Sequence, residues 1–166
     1  MALAAIGAAL VATGCGGGGS EGSTSTAASD EPLTKQELIA RGDSICADAS
    51  DQFQELRQSP PTTAEGAAEL TQKLIDIQQS ELSRLRDLSA PAPLRSSLDD
   101  YLNALERNIA VLQQGLRAAQ QNDAAAYAKA QAKTVREQVE RLQLARAVGF
   151  KECSRPAGTA PGNAGG

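Results

Sequence analysis

The sequence predicts an all-α domain, an antiparallel up-down-up-down four-helix bundle. Three observations lead there. Four stretches of the 166-residue chain carry apolar residues at three- and four-residue steps, the repeat of a helix with one buried face. Pro-Pro, Pro-Ala-Pro and Asn-Asp punctuate the intervals between them. Aromatic residues make up only 2% of the chain, namely Phe53, Tyr101, Tyr127 and Phe150. The core must therefore be built from Leu, Ile, Val and Ala, and strand-rich proteins usually carry more aromatic and β-branched residues.

The first helix opens at Thr34, where Thr34-Lys35-Gln36-Glu37 has the form of a capping box. Leu38, Gly42, Ile45, Cys46, Ala49, Phe53 and Leu56 form its inner face, and Ser59-Pro60-Pro61 ends it after Arg57, because proline cannot continue a helix. The second begins near Thr62 or Thr63, with Thr62 and Glu65 in box spacing. Its stripe is Ala67, Leu70, Leu74, Ile77, Leu82, Leu85 and Leu88. After Ala90-Pro91-Ala92-Pro93 comes the third, with the strongest periodicity in the chain: Leu94, Leu98, Tyr101, Leu102, Leu105, Ile109, Leu112 and Leu116. Asn122-Asp123 offers an N-cap for the fourth. There Tyr127, Val135, Val139, Leu142 and Ala145 recur, and Gly149 supplies the stop. Short connections force antiparallel neighbours, and each apolar stripe must be covered by the next.

Composition divides the chain further. Residues 1–14 read as a lipoprotein signal peptide, 15–32 as a lipidated cysteine with a flexible tether, 33–153 as the bundle and 154–166 as a disordered Pro/Gly/Ala-rich tail. The apolar run Met1 to Ala12 is too short for a bilayer span, which needs about 20 residues, and it fits the core of an export signal. Val11-Ala12-Thr13-Gly14-Cys15 resembles the bacterial lipobox, in which the cysteine is diacylated and becomes the first mature residue. Ala12 stands where Leu is usual, and no Lys or Arg precedes the run. A start site further upstream would supply that charge. A buried N-terminal helix and ordinary signal-peptidase cleavage are the competing readings. The Gly/Ser-rich segment that follows Cys15 favours lipidation, since a lipid-anchored domain needs a flexible tether to clear the membrane surface.

The chain has three cysteines. Lipidation of Cys15 would leave Cys46 and Cys153 as a pair, in a compartment where disulfides persist. In an up-down-up-down bundle the end of the fourth helix lies beside the start of the first. Cys46 is three turns into that first helix, so the chain beyond Gly149 must turn back along it, with Phe150 near the bridge and close to Phe53. Two independent buried thiols are the alternative. Metal binding is disfavoured, because zinc would be short of ligands without His or a Cys-x-x-Cys spacing.

The pattern Leu33-Thr34-Lys35-x-x-Leu38-Ile39-x-x-x-Asp43-x-Ile45-Cys46, with Val148-Gly149-Phe150-x-x-Cys153 at the far end, resembles a group of small actinobacterial lipoproteins. The resemblance spans residues 33–153, but its motifs occupy only the two ends. It implies a helical bundle closed by the disulfide, and it implies no activity.

Little in the chain points to chemistry. There is no His, which removes Ser/His and Cys/His nucleophile systems. Ser-x-x-Lys, phosphate-loop and Glu-x-x-His motifs are missing too, so no catalytic residue, cofactor or metal is expected. The net charge of −4 disfavours nucleic acid as a partner. Asp48, Asp51 and Glu55 share one side of the first helix. They are candidates for an acidic interaction face, against the plainer reading of a solvated surface. Arg84, Arg86 and Arg95 read as surface.

The expected whole is a non-enzymatic cell-envelope lipoprotein, bound to the extracytoplasmic face of the membrane through Cys15 and acting as an interaction or structural module toward a protein partner. The alternative is a small-molecule carrier with an apolar pocket between helices, lined by Leu, Ala and the two tyrosines. An enzyme using carboxylates alone is a third option.

Overall fold

The computed structural model describes residues 31–156. They form four helices: α1 (Lys35–Arg57), α2 (Ala64–Arg86), α3 (Arg95–Gln120) and α4 (Ala124–Val148), with a 3-10 turn at Ala92–Leu94 leading into α3. No strand occurs among the described residues. The order of elements and the helical character follow the sequence reading. The expected signal peptide, Cys15, the expected tether as far as residue 30 and the tail beyond Pro156 lie outside the described residues.

The helix ends follow local chemistry. Thr34 caps α1 through a complete box: its hydroxyl accepts the Glu37 amide at 3.2 Å, and the Glu37 carboxylate accepts the Thr34 amide at 2.9 Å. For α2 the cap is Thr63 rather than Thr62, accepting the Gly66 amide at 3.1 Å. Asp123 caps α4 by accepting the Ala126 amide at 2.9 Å. Asn122 just before it takes a left-handed conformation at φ 56°, which asparagine tolerates better than most residues.

Neighbouring helices pair in sequence, α1 with α2, α2 with α3 and α3 with α4, whereas α1 and α4 barely approach along their backbones. The strip between α1 and α4 is filled at one end by the chain that follows α4. Gly149, at φ 103°, stops the helix, and the Gly149 and Phe150 amides both donate to the Ala145 carbonyl. The left-handed step turns Phe150 inward, where it is 2% exposed. Its ring meets Tyr101 edge-on, with centroids 5.8 Å apart. Tyr101, not Phe53, is therefore the ring partner of Phe150, because Phe53 lies about three turns beyond Gly42, the level at which Phe150 enters. Gly42 makes that entry possible, since a Cβ there would sit 2.3 Å from the Phe150 ring.

The core runs through Leu38, Ile45, Ile75, Leu82, Leu85, Leu98, Leu105, Ile109, Leu112, Ala145 and Val148. On α4 the sequence expectation fails in one respect. Val135 and Val139 are 61% and 55% exposed; the buried face keeps the expected Leu142 and Ala145 and completes itself with Ala130, Arg141 and Val148. The α3–α4 contact fixes this rotation. Ala130 of α4 packs beside Gly115, its Cβ an ordinary contact distance of 3.4 Å from where a Gly115 Cβ would stand. Arg107 of α3 adds ion pairs to Glu137 and Glu140.

Two glycines in helices should respond oppositely to one substitution. Alanine normally stabilises an exposed helix position by about 1 kcal/mol over glycine. Gly42→Ala should nevertheless lower the urea unfolding free energy by about 1–2 kcal/mol net, because overpacking against Phe150 outweighs that gain. Gly115→Ala meets only ordinary contact distances and should be neutral or stabilising by up to about 1 kcal/mol.

Candidate functional site

The sequence left open whether Cys46 and Cys153 pair. In the structure they form a disulfide, with S–S 2.01 Å, Cα–Cα 5.1 Å and a separation of 107 residues. The chain reaches it in a fixed way. Asp43, one turn before Cys46 and off the acidic line of α1, accepts the backbone amides of Lys151 and Glu152, both at 2.8 Å. A single carboxylate oxygen thus holds the turn that presents Cys153. The turn continues past the cysteine, where the Arg155 amide donates to the Glu152 carbonyl at 3.0 Å and the two side chains pair. Ser154 and Arg155, placed in the tail by composition, belong to this turn.

Behind the disulfide lies a buried polar group that sequence reasoning missed. Glu81 of α2 is 3% exposed, Tyr101 of α3 is fully buried and Arg141 of α4 is 9% exposed. The Tyr101 hydroxyl donates to Glu81 Oε1 at 3.2 Å. Arg141 Nη1 stands 3.8 Å from the same oxygen. The Cys46 sulfur lies 3.4 Å from it; bound in the disulfide it has no hydrogen to give, so this is a packing contact. One carboxylate oxygen therefore touches all three other helices.

Burial pushes the Glu81 carboxyl above its ordinary range, against the opposing pull of Arg141 and the Tyr101 hydrogen bond. Burial, with the Glu81 charge second, also raises the Tyr101 phenol, which stays protonated. For Arg141, burial works against the charge, but Tyr101 and Glu81 outweigh it and the guanidinium stays protonated. Arg141 Nε is buried without a protein partner. A small cleft of about 30 Å³ opens beside it, lined by Cys46, Ser50, Phe53, Glu81, Arg141 and Cys153, enough for roughly two waters. One layer further along the core, Asn108 Nδ2 donates to Gln78 Oε1 at 2.8 Å while Asn108 Oδ1 stays unpartnered.

This group ties α2, α3 and α4 together. Glu81 is already engaged by Tyr101 and Arg141, and the cleft has no room for a substrate. The signal that could have exposed Glu81 is its register: it falls midway between Ile77 and Leu85 on the apolar stripe of α2.

The acidic residues singled out from the sequence do not gather. Asp48 pairs with Arg84 of α2 at 2.8 Å on the surface, and Asp51 and Glu55 are exposed. No group of carboxylates, Cys or His among the described residues is arranged to hold a metal ion. Of the other arginines around the α2–α3 connection, Arg86 pairs with Glu106 and Arg95 Nε donates to the Ala90 carbonyl at 3.3 Å. The two tyrosines line no common cavity: Tyr101 is packed into the polar group, and Tyr127 lies 3.5 Å from the Thr71 hydroxyl. Comparison with protein-family models, curated proteins and solved structures finds no match to this chain.

Two outcomes follow. Replacing both Cys46 and Cys153 with Ala should lower the unfolding free energy by about 3–5 kcal/mol, the range for closing so long a loop, read as a shift in the urea midpoint. The second concerns pH. A carboxyl whose folded value is raised above its unfolded value stabilises the fold fully below the unfolded value and progressively less as pH rises through the folded one. Stability should therefore fall as pH is raised from about 4.5, and Glu81→Gln should remove that part of the slope. Parallel curves for the two proteins across pH 4–8 would show that Glu81 is not its source.

Proposed function

We propose that this chain is a non-enzymatic, lipid-anchored interaction module of the cell envelope, held at the extracytoplasmic face of the membrane through Cys15. The observation that carries the interaction reading is that Val135 and Val139 are held in solvent at 61% and 55% exposure, on a domain that has filled its own core with Leu and Ile. Exposed apolar side chains grouped on one face mark a contact site more often than single scattered ones do.

Other features support the anchoring. The lipobox-like Val11-Ala12-Thr13-Gly14-Cys15 is followed directly by a Gly/Ser-rich stretch. The Cys46–Cys153 disulfide suits an oxidising compartment outside the cytoplasm. No helix among the described residues is long and apolar enough to cross a membrane. The small-molecule reading has less support: the cleft inside the bundle holds about 30 Å³, and the hollow of about 550 Å³ between α2 and α3 is an open surface groove edged by Gln79, Arg86, Asp87, Glu106 and Gln113 rather than the enclosed, mostly apolar site that a carried ligand needs.

The anchor is tested by the intact mass of protein extracted from membranes. The expected chain starts at Cys15 and carries added acyl groups, and Cys15→Ala should move the protein out of the membrane fraction. An unmodified thiol at Cys15 would overturn the anchor. The interaction reading is tested by chemical cross-linking on intact cells with mass-spectrometric identification of neighbours. Capture of a defined protein through α4 is expected; recovery of lipid and peptidoglycan alone would sink the idea.

A further inference from the structure

Ala128, Ala132, Val135, Val139 and Leu142 recur along α4 at alternating steps of four and three. The first four are exposed and only Leu142 is covered. With 3.6 residues per turn, this line lies roughly 160° around the helix from Ala130, which faces α3. It is therefore free of the α3–α4 contact that fixes the helix. Its two edges differ. On one, Gln131 and Gln138 are half-buried toward the bundle; on the other, Lys129 and Arg136 are exposed, with Lys133 one step further round. None of these three cations makes an ion pair among the described residues. The nearest carboxylates on α4, Glu137 and Glu140, are taken by Arg107. Like charges three and four residues apart repel slightly, so neither the cations nor the exposed valines are explained by the stability of the isolated domain.

We propose that this face of α4 docks an amphipathic helix of another protein, one whose apolar stripe is edged with Asp and Glu. The inference rests on the interaction reading above and names the chemistry of its partner. The spacing argues for a helix. A four-three alternation is the seam of a two-helix contact crossing at about 20°. Ala128 and Ala132 let a second backbone come close, while Val135 and Val139 stand as knobs. From Ala128 to Val139 the exposed seam is about 17 Å long at 1.5 Å per residue, so it matches some three turns of a partner.

The charges argue for acidic edges. With the apolar line at a and d positions, Lys129 and Arg136 occupy the e positions that select a partner. A second copy of α4 fits poorly. Antiparallel pairing about Val135 and Arg136 would set Arg136 against Arg136, and parallel pairing would set Arg136 against Gln131 and Lys129 against Ala124, with no carboxylate opposite either. The acidic line of α1 cannot serve as the partner edge either, because the apolar stripe of α1 is buried in its own bundle.

The test uses the full chain, isotope-labelled for amide NMR, with two synthetic helical peptides of about 18 residues sharing one Leu/Ala stripe. One is edged with Glu and the other with Lys. The Glu-edged peptide should shift the amides of residues 128–142 and bind about five-fold or more tighter than its Lys-edged counterpart, a preference weakened by salt. Lys129→Glu with Arg136→Glu should reverse the preference. Val135→Asp with Val139→Asp should weaken both peptides while leaving the urea midpoint within error, since both side chains lie outside the core. Equal binding of the two peptides, shifts confined to another face, or shifts produced only by phosphatidylglycerol vesicles would each overturn the proposal. Cross-linking on cells that captures a protein through another face, with residues 128–142 silent toward the Glu-edged peptide, would remove this inference and leave the interaction reading standing.

Discussion

The architecture depends on how the chain returns to α1 after its last helix. The helix pairs α1–α2, α2–α3 and α3–α4 would leave α1 attached along one flank only. Three contacts at residues 150–153 change that. Phe150 plugs the space over Gly42, Asp43 gathers two backbone amides, and Cys153 bonds to Cys46. They occupy one turn of α1, so forming one pre-orders the others. At its end of the bundle the turn also occupies the space between α1 and α4 that a direct helix contact would use.

The buried polar group completes this arrangement from the inside. A carboxylate, a phenol and a guanidinium in a small core are costly to desolvate, and apolar replacements of similar size would often be at least as stable. Their effect is to specify an arrangement. Glu81 can satisfy Tyr101 and Arg141 together only if α2, α3 and α4 stand in one rotational register. That register decides which side of α4 faces inward, and so which side chains are left outside.

Much of the fold was legible in the sequence because its signals are local. Thr34 with Glu37, the Pro60-Pro61 break and the stop at Gly149 each depend on residues within a turn of one another. The disulfide was accessible to counting and topology. The buried charges were not, because Glu and Arg are read as surface unless a partner is known, and the partners of Glu81 lie on other helices. The valines of α4 were misassigned for a related reason. On a helix this rich in Ala, two apolar faces have nearly equal claim to the core, and the seat of Arg141 beside Glu81 with the pairs from Arg107 of α3 settles the choice. The acidic line on α1 was legible as a line, but Asp43, just off it, holds the more consequential position.

The placement of Cys153 has a temporal consequence. A chain that emerges amino-terminus first exposes Cys46 and the first helix when only Cys15 is available as another thiol. The proper partner appears last, after all four helices have been made. If Cys15 is acylated before then, the wrong pairing is closed off chemically, and the order of modification protects the order of folding.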